Sequence, residues 1–108
     1  MEKRKVVFIS HPLKGNIEEN INKVRKICRE LIIEGEVVPL ATHMIFPTFL
    51  DDSIHEERRI GMDGTLELLK RSDEVWIYGD RISEGMKEEI ELAKEIRIPI
   101  VFKNNLKP

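Results

Sequence analysis

A serine, a glycine and a glutamate at the start of one helix are the residues of this chain best suited to chemistry. In the stretch SEGMKEEIELA, Ser83 is predicted to cap the helix, because its hydroxyl can accept a hydrogen bond from a free N–H of the first turn. Gly85 allows a ligand to approach that turn, where the unpaired N–H groups and the helix dipole favour an anion. Glu89 follows Met86 by three residues and precedes Ala93 by four, so helical spacing puts it on the inward face. The pattern predicts an anion site beside a carboxylate that is a candidate for catalysis.

The same helix carries several other glutamates, and this leaves a second interpretation of Glu89 open. A helix with many charges is usually a solvated surface. Two further candidates for the site also have a simple structural interpretation. Asp63 stands beside Gly64 and can be a local helix cap, and Lys14 can be a surface lysine. Periodicity alone does not decide between these interpretations.

Strands and helices that alternate along the chain must position these residues. Short apolar runs predict strands, and periodic segments with capping signals predict helices between them. Asn16 is expected to cap the first helix and Gly35 to end it, while Pro39 favours either an edge position for the second strand or the end of that strand. Ser53 is expected to cap a helix that runs to about Arg71. The strands are expected at residues 5–10, 36–40, 74–78 and 99–102.

This alternation predicts one α/β domain over residues 1–108, a three-layer α/β/α sandwich of the flavodoxin-like kind. Its four-stranded parallel sheet is expected to have the strand order 2-1-3-4. Ligands of such sheets bind at the carboxyl ends of the strands, where the order reverses. The expected crevice lies between the loop from His11 to Gly15 and the loop from Gly79 to Ser83.

The segment from Ala41 to Asp52 is irregular, yet it holds many large apolar side chains and also His43. One interpretation is a loop tucked over the core. The other is a pocket wall or lid that stacks on a flat ligand.

Composition excludes several classes of function. The 108 residues carry a formal net charge of −2, without the concentrated basic surface that binding to nucleic acid requires. The single cysteine, Cys28, cannot form an internal disulfide, and the histidines lack the spacing of metal ligands. We therefore expect neither a metal nor another cofactor. A signal peptide and an apolar run of about 20 residues are both missing, so we expect a cytoplasmic protein with no membrane partner.

Several motifs, taken in their order, resemble the nucleoside 2-deoxyribosyltransferase-like superfamily, and within it an uncharacterised branch common in bacteria and their phages. The motifs are FISHPLKGN, a helix led by Asp63, SDEVWIYGD and SEGMKEEIELA. The similarity covers nearly the whole chain, from Val6 to Phe102. It implies a nucleoside or nucleotide as the small-molecule partner, and a homodimer or higher homo-oligomer.

The resemblance also implies a reaction. In characterised members a glutamate on this helix attacks the anomeric carbon of a 2-deoxyribose and displaces the base, and water or a second base resolves the covalent intermediate. Glu89 stands at the matching position, and Asp63 matches an aspartate near the base that could help in protonation. The residues implied around the substrate are Phe8, Ser10, His11, Lys14, Gly15, His43, Gly79, Ser83, Gly85 and Met86.

The resemblance further favours a nucleoside 5′-monophosphate. Members that use nucleosides carry an acid where Ser83 stands, whereas nucleotide hydrolases have a serine, which removes a charge that repels phosphate. Lys14 matches a basic residue of those hydrolases. The phosphate and sugar are thus expected near Ser10, Lys14, Ser83 and Gly85.

Two features depart from the active members. Phe8 replaces a tyrosine whose hydroxyl helps to set the catalytic glutamate. Active members also complete each site with a residue from a neighbouring subunit's C-terminal segment, for which Asn104 or Asn105 is the candidate in this chain. Three functions therefore stay open: an N-glycosidase or deoxyribosyltransferase, a nucleotide-binding module without catalysis, and an interaction protein that keeps only the scaffold. The segment from Ala41 to Asp52 is expected to select the base.

Overall fold

Strands and helices alternate along residues 3–103, the part of the chain that the structure, a computed structural model, describes. Two short 3₁₀ turns, Thr42–Met44 and Phe46–Thr48, lie between the second strand and the second helix. Asn104 and Asn105 lie outside the described residues. The longer elements are β1 Lys5–Ser10, α1 Ile17–Glu34, β2 Val37–Leu40, α2 His55–Lys70, β3 Glu74–Ile77, α3 Glu84–Glu95 and β4 Ile100–Phe102.

The four strands form one parallel sheet in the order β2-β1-β3-β4, which confirms the predicted fold class and strand order. β1 pairs with β2 on one side and with β3 on the other, so the strand order reverses at β1. β2, which contains Pro39, lies at an edge as predicted, where the missing N–H of proline costs no ladder hydrogen bond. The carboxyl end of β1 is therefore the place where a crevice is expected.

The two faces of β1 belong to two different packing layers. Val7 and Ile9 point to one face and pack with Val24 of α1. Phe8 points to the other face and packs with side chains of α2 and α3, among them Leu69 and Met86. Since side chains alternate along a strand, Ser10 shares the face of Phe8 and points toward α2 and α3.

Several helix ends lie where the sequence predicts them, and a side-chain cap or a glycine marks each of these ends. The Asn16 side chain accepts a hydrogen bond from the Glu19 N–H at 3.3 Å, and Gly35 ends α1 in the left-handed conformation. The expected cap at Ser53 is wrong. Its hydroxyl instead donates to Asp51 Oδ1 at 2.6 Å, so α2 begins at His55 after Ile54, without a side-chain cap.

Apolar residues lie on one face of each helix. On α1, Cys28 is half-buried against the cluster around Val24, and burial raises the pKa of its thiol.

Within residues 3–103, the structure contains no helix that is both long enough and apolar enough to cross a membrane.

Candidate functional site

A cleft of about 710 Å³ opens at the carboxyl edge of the sheet. Its walls come from the loops after β1 and β3, the segment after β2, and the facing sides of α2 and α3. This position agrees with the crevice expected at the reversal of strand order. The predicted site residues that line it are His11, Lys14, His43, Ser83, Gly85, Met86 and Glu89.

Glu89 is the buried carboxylate of this cleft. Its side chain lies on the inward face of α3 between Met86 and Ala93, and the residue is only 6% exposed. The Ser10 hydroxyl donates a hydrogen bond of 2.6 Å to Glu89 Oε1. Burial raises the pKa of Glu89 to about 7, against the opposing effect of that hydrogen bond, and the charge of Glu88 raises it further. The solvated-face interpretation of Glu89 is therefore wrong.

The start of α3 supplies the anion-favouring part of the cleft. The Ser83 hydroxyl accepts a hydrogen bond from the Met86 N–H at 3.3 Å, as predicted for a cap. Gly85 leaves this turn open, since a Cβ there would meet only the Met62 methyl at an ordinary 3.5 Å. Further charged residues lining the cleft are the cations Lys14, Arg58, Arg59 and Arg81 and the acids Asp52, Glu57, Glu84 and Glu88.

The loops after β1 and β3 are joined directly to each other. Arg81 donates a hydrogen bond to the backbone carbonyl of Lys14. Gly79 has a φ of 104°, and a Cβ on it would lie 2.5 Å from Pro12 Cδ. Neither Gly79 nor Gly15 lines the cleft, and Gly15 borders a smaller polar pocket of about 200 Å³ instead. These two glycines, expected as ligand contacts, therefore let the loops approach each other.

The buried ring of His11 and the partly buried ring of His43 form part of the cleft wall. His11 donates through Nδ1 to the Pro12 carbonyl at 2.7 Å, and His43 donates through Nε2 to the His11 carbonyl at 2.8 Å. Burial lowers the pKa of both rings, which favours the neutral form. Nδ1 of His43 is buried and has no hydrogen-bond partner among the described residues. Within residues 3–103, no three His, Cys, Asp or Glu side chains lie close enough to hold a metal ion.

An apolar wall, which we define as Phe46, Pro47 and Leu50, lines the cleft on the side of the segment after β2. The Phe46 ring lies across α2 so closely that a Cβ on Gly64 would be 2.6 Å from Phe46 Cζ. The segment after β2 is thus a wall of the cleft, as one of its two interpretations held. From the sequence, Asp63 was the residue of α2 expected at the site, and the contact of Gly64 with the Phe46 ring was not expected.

Three expected site residues have other positions. Phe8 is fully buried in the core and does not line the cleft, because it points under α3 from the middle of β1. Ser10 is also fully buried, and its hydroxyl donates to Glu89. Asp63 is exposed and outside the cleft: α2 turns Met62 and Thr65 inward, and the next residue after Met62 points about 100° away.

A comparison with solved structures shows that another protein shares this fold. A 2-deoxyribosyltransferase from the psychrotolerant bacterium Bacillus psychrosaccharolyticus, described as a biocatalyst for the synthesis of antiviral and antitumoral nucleosides, matches with a TM-score of 0.72. The match covers 95% of this chain and 77% of that one, at 14% sequence identity. At this identity the likeness shows the fold.

The family itself follows from a sequence profile. The profile described as "Domain of unknown function (DUF7768)" matches residues 5–103, so the chain belongs to this family. No curated protein matches the chain. The predicted resemblance is thus confirmed for the fold.

Proposed function

We propose that the protein cleaves the N-glycosidic bond of a nucleoside 5′-monophosphate or nucleoside, with Glu89 as the nucleophile. The observation that carries this proposal is a buried carboxylate, held by a hydrogen bond from Ser10, on the wall of a cleft large enough for a nucleotide. The fold likeness to a 2-deoxyribosyltransferase supports the same class of reaction.

In the proposed reaction an ionised oxygen of Glu89 attacks C1′ of the sugar. The bond between C1′ and the base nitrogen breaks, its electron pair leaves with the base, and the base takes a proton from solvent. Water then attacks C1′ of the glycosyl ester, the ester bond to Glu89 breaks, and the water loses its proton. A second base in place of water gives transfer. A pKa near 7 leaves a large fraction of Glu89 ionised at neutral pH.

Two parts of the cleft suit the two ends of a nucleotide. The N-terminus of α3, with Ser83 and Gly85, favours a phosphate group, and Lys14 and Arg81 add positive charge from the loops. The apolar wall offers the Phe46 ring to a flat base. Asp63 has no role in this proposal, because its exposed side chain does not reach the cleft. The homo-oligomer implied by the resemblance stays a prediction.

The test is release of free base, measured by chromatography after incubation with ribo- and deoxyribonucleosides and their 5′-monophosphates. We expect release by the wild type and none by Glu89→Gln, which keeps the shape of the side chain but cannot ionise. Glu91→Gln is the matched control, since Glu91 lies on the same helix, exposed and outside the cleft. Equal release by wild type and Glu89→Gln would refute the nucleophile assignment.

A second candidate is a nucleotide-binding module without catalysis. Phe8 favours it, because its ring offers Glu89 no hydroxyl where active members of the resembled superfamily carry a tyrosine. It predicts no base release, together with stabilisation by particular nucleotides of about 2.7 kcal/mol at 100 times the dissociation constant. If the protein neither releases base nor is stabilised by nucleotides, both candidate functions are refuted.

A further inference from the structure

The contact between Ser10 and Glu89 joins two buried polar groups at the base of the cleft. Ser10 is fully buried, and its hydroxyl donates to Oε1 at 2.6 Å, a short distance typical of a bond to a charged or strongly polar acceptor. Glu89 itself lines the cleft, and the described residues donate a hydrogen bond to Oε1 but none to its other oxygen, Oε2. The two oxygens of Glu89 therefore differ, because only Oε1 is bonded to the buried serine.

The sheet fixes the position of the donor. Ser10 is the last residue of β1, paired in register with Ile77 of β3, and its carbonyl accepts a hydrogen bond from the Tyr78 N–H at 2.8 Å. Phe8, two residues earlier on the same face, has no hydroxyl to offer. On this face of β1, Ser10 is thus the residue whose side chain can donate to Glu89.

We propose that Ser10 is the positioning residue of Glu89: it holds Oε1 so that Oε2 faces the substrate. This inference rests on the proposed function in assigning Glu89 to catalysis. A carboxylate with one oxygen bonded loses rotational freedom about its last torsion, so the attacking oxygen is held in place before the substrate binds. Removal of the hydroxyl leaves Glu89 in the same cavity but without that constraint.

The hydroxyl also stabilises the ionised form of Glu89, since it donates and the carboxylate accepts. Without it, burial acts unopposed and the pKa of Glu89 rises further. The ionised fraction at a given pH then falls, and the acid limb of the activity moves to higher pH. The other titratable or charged groups lining the cleft are Glu84 and Glu88 on α3, His11 and Lys14 after β1, His43 and Asp52 after β2, Arg81 after β3, and His55, Glu57, Arg58 and Arg59 on α2. The substitution leaves all of them in place.

The first measurement is the pH dependence of base release by wild type and Ser10→Ala. We expect the acid limb to move up by about one to two pH units, with a loss of about tenfold or more at neutral pH, as for a hydrogen bond to a charged group. Ser72→Ala is the matched control, because Ser72 is also a buried serine, but its hydroxyl donates to the Leu68 carbonyl away from the cleft. If the acid limb of the pH profile shifts equally in Ser10→Ala and Ser72→Ala, or shifts in neither, the proposal is overturned.

The second measurement does not need activity. Carbon-13 NMR of the labelled Glu89 carboxyl follows its titration in wild type, Ser10→Ala and Ser10→Cys. The cysteine keeps the approximate volume and offers only a weak S–H donor, so it also serves if the alanine variant fails to fold. We expect an upward shift in both variants, smaller for cysteine. An unchanged titration would overturn the role of Ser10, whereas a shift without base release in the wild type would refute the proposed function alone.

Discussion

The polar end and the apolar wall of the cleft are built by different means. At the polar end, Ser10, Ser83 and Glu89 lie on a strand and a helix, where backbone periodicity and a cap set their positions. In the apolar wall, Phe46 lies in a 3₁₀ turn, and its ring fits against Gly64 of α2. Regular elements hold side chains within the small positional tolerance that a reaction requires. An irregular segment packed on a helix can exchange one side chain for another while the regular elements stay in place. The comparison predicts that chemistry resides at the polar end and base selection at the apolar wall.

The largest effect is expected where the polar end is held together. Gly79→Ala forces a Cβ into a backbone with a φ of 104° and to within 2.5 Å of Pro12 Cδ. Strain and steric overlap together are expected to reduce the free energy of unfolding by about 2–4 kcal/mol. Urea unfolding measures this loss. Gly35→Ala is the control, since its φ is 81° but open space surrounds it, so only the strain of about 1 kcal/mol applies. Equal losses would show that contact between the loops does not matter.

The next effect concerns the buried charge at the same end. The pKa of Glu89 is about 7 in the folded protein against an ordinary 4.5, so the folded state binds more protons between these values. The free energy of unfolding of the wild type should therefore fall as pH rises from about 4.5 to about 7, and this loss stops above that range. Glu89→Gln does not titrate, and we expect it to be more stable than the wild type by about 3 kcal/mol above pH 7 and similar near pH 4.5.

Urea unfolding of both proteins from pH 4.5 to pH 8 checks this prediction. Glu91→Gln should follow the wild type, because Glu91 is exposed. A difference between Glu89→Gln and wild type that stays constant with pH would mean that burial does not raise the pKa of Glu89. The polar end would then carry no free-energy cost for a buried charge, and in this respect it would not differ from the apolar wall.

The smallest effect is expected at the apolar wall. Gly64→Ala places a Cβ 2.6 Å from Phe46 Cζ and must displace the ring, at a net cost of about 1–2 kcal/mol and with a changed preference among bases. Gly61→Ala is the control on the same helix. Its Cβ would lie 3.3 Å from Leu50 Cδ1 and 3.6 Å from Phe46 Cβ, so the gain in helix propensity of up to about 1 kcal/mol offsets the contact. Thermal unfolding and the base-release panel compare the two. Equal stabilisation by both would mean that the ring moves freely.

The sequence predicted the polar end well because its signals are local. The caps at Asn16 and Ser83, the β-branched run of β1 and the inward spacing of Glu89 each depend on neighbours within one turn or one strand. The strand order followed from the alternation of elements. A local competitor explains the failure at Ser53, where Asp51 takes the hydroxyl that was expected to cap α2.

The remaining errors concern contacts between distant segments. The face of Asp63 depends on how α2 lies against the segment after β2, and a weakly amphipathic helix with two glycines does not specify that orientation. The resemblance placed Ser10 near the phosphate and sugar of a ligand, and a resemblance between sequences does not give the direction of its hydroxyl. Only the packed structure pairs it with Glu89.

The hydrogen bond between Ser10 and Glu89 joins residues 79 positions apart. During synthesis at 5–20 residues per second, Ser10 is therefore made roughly 4–16 s before its partner exists. A chain that ends before Glu89 lacks one of the two groups, so the proposed nucleophile and its positioning residue can meet only after α3 has been made and has packed against the sheet.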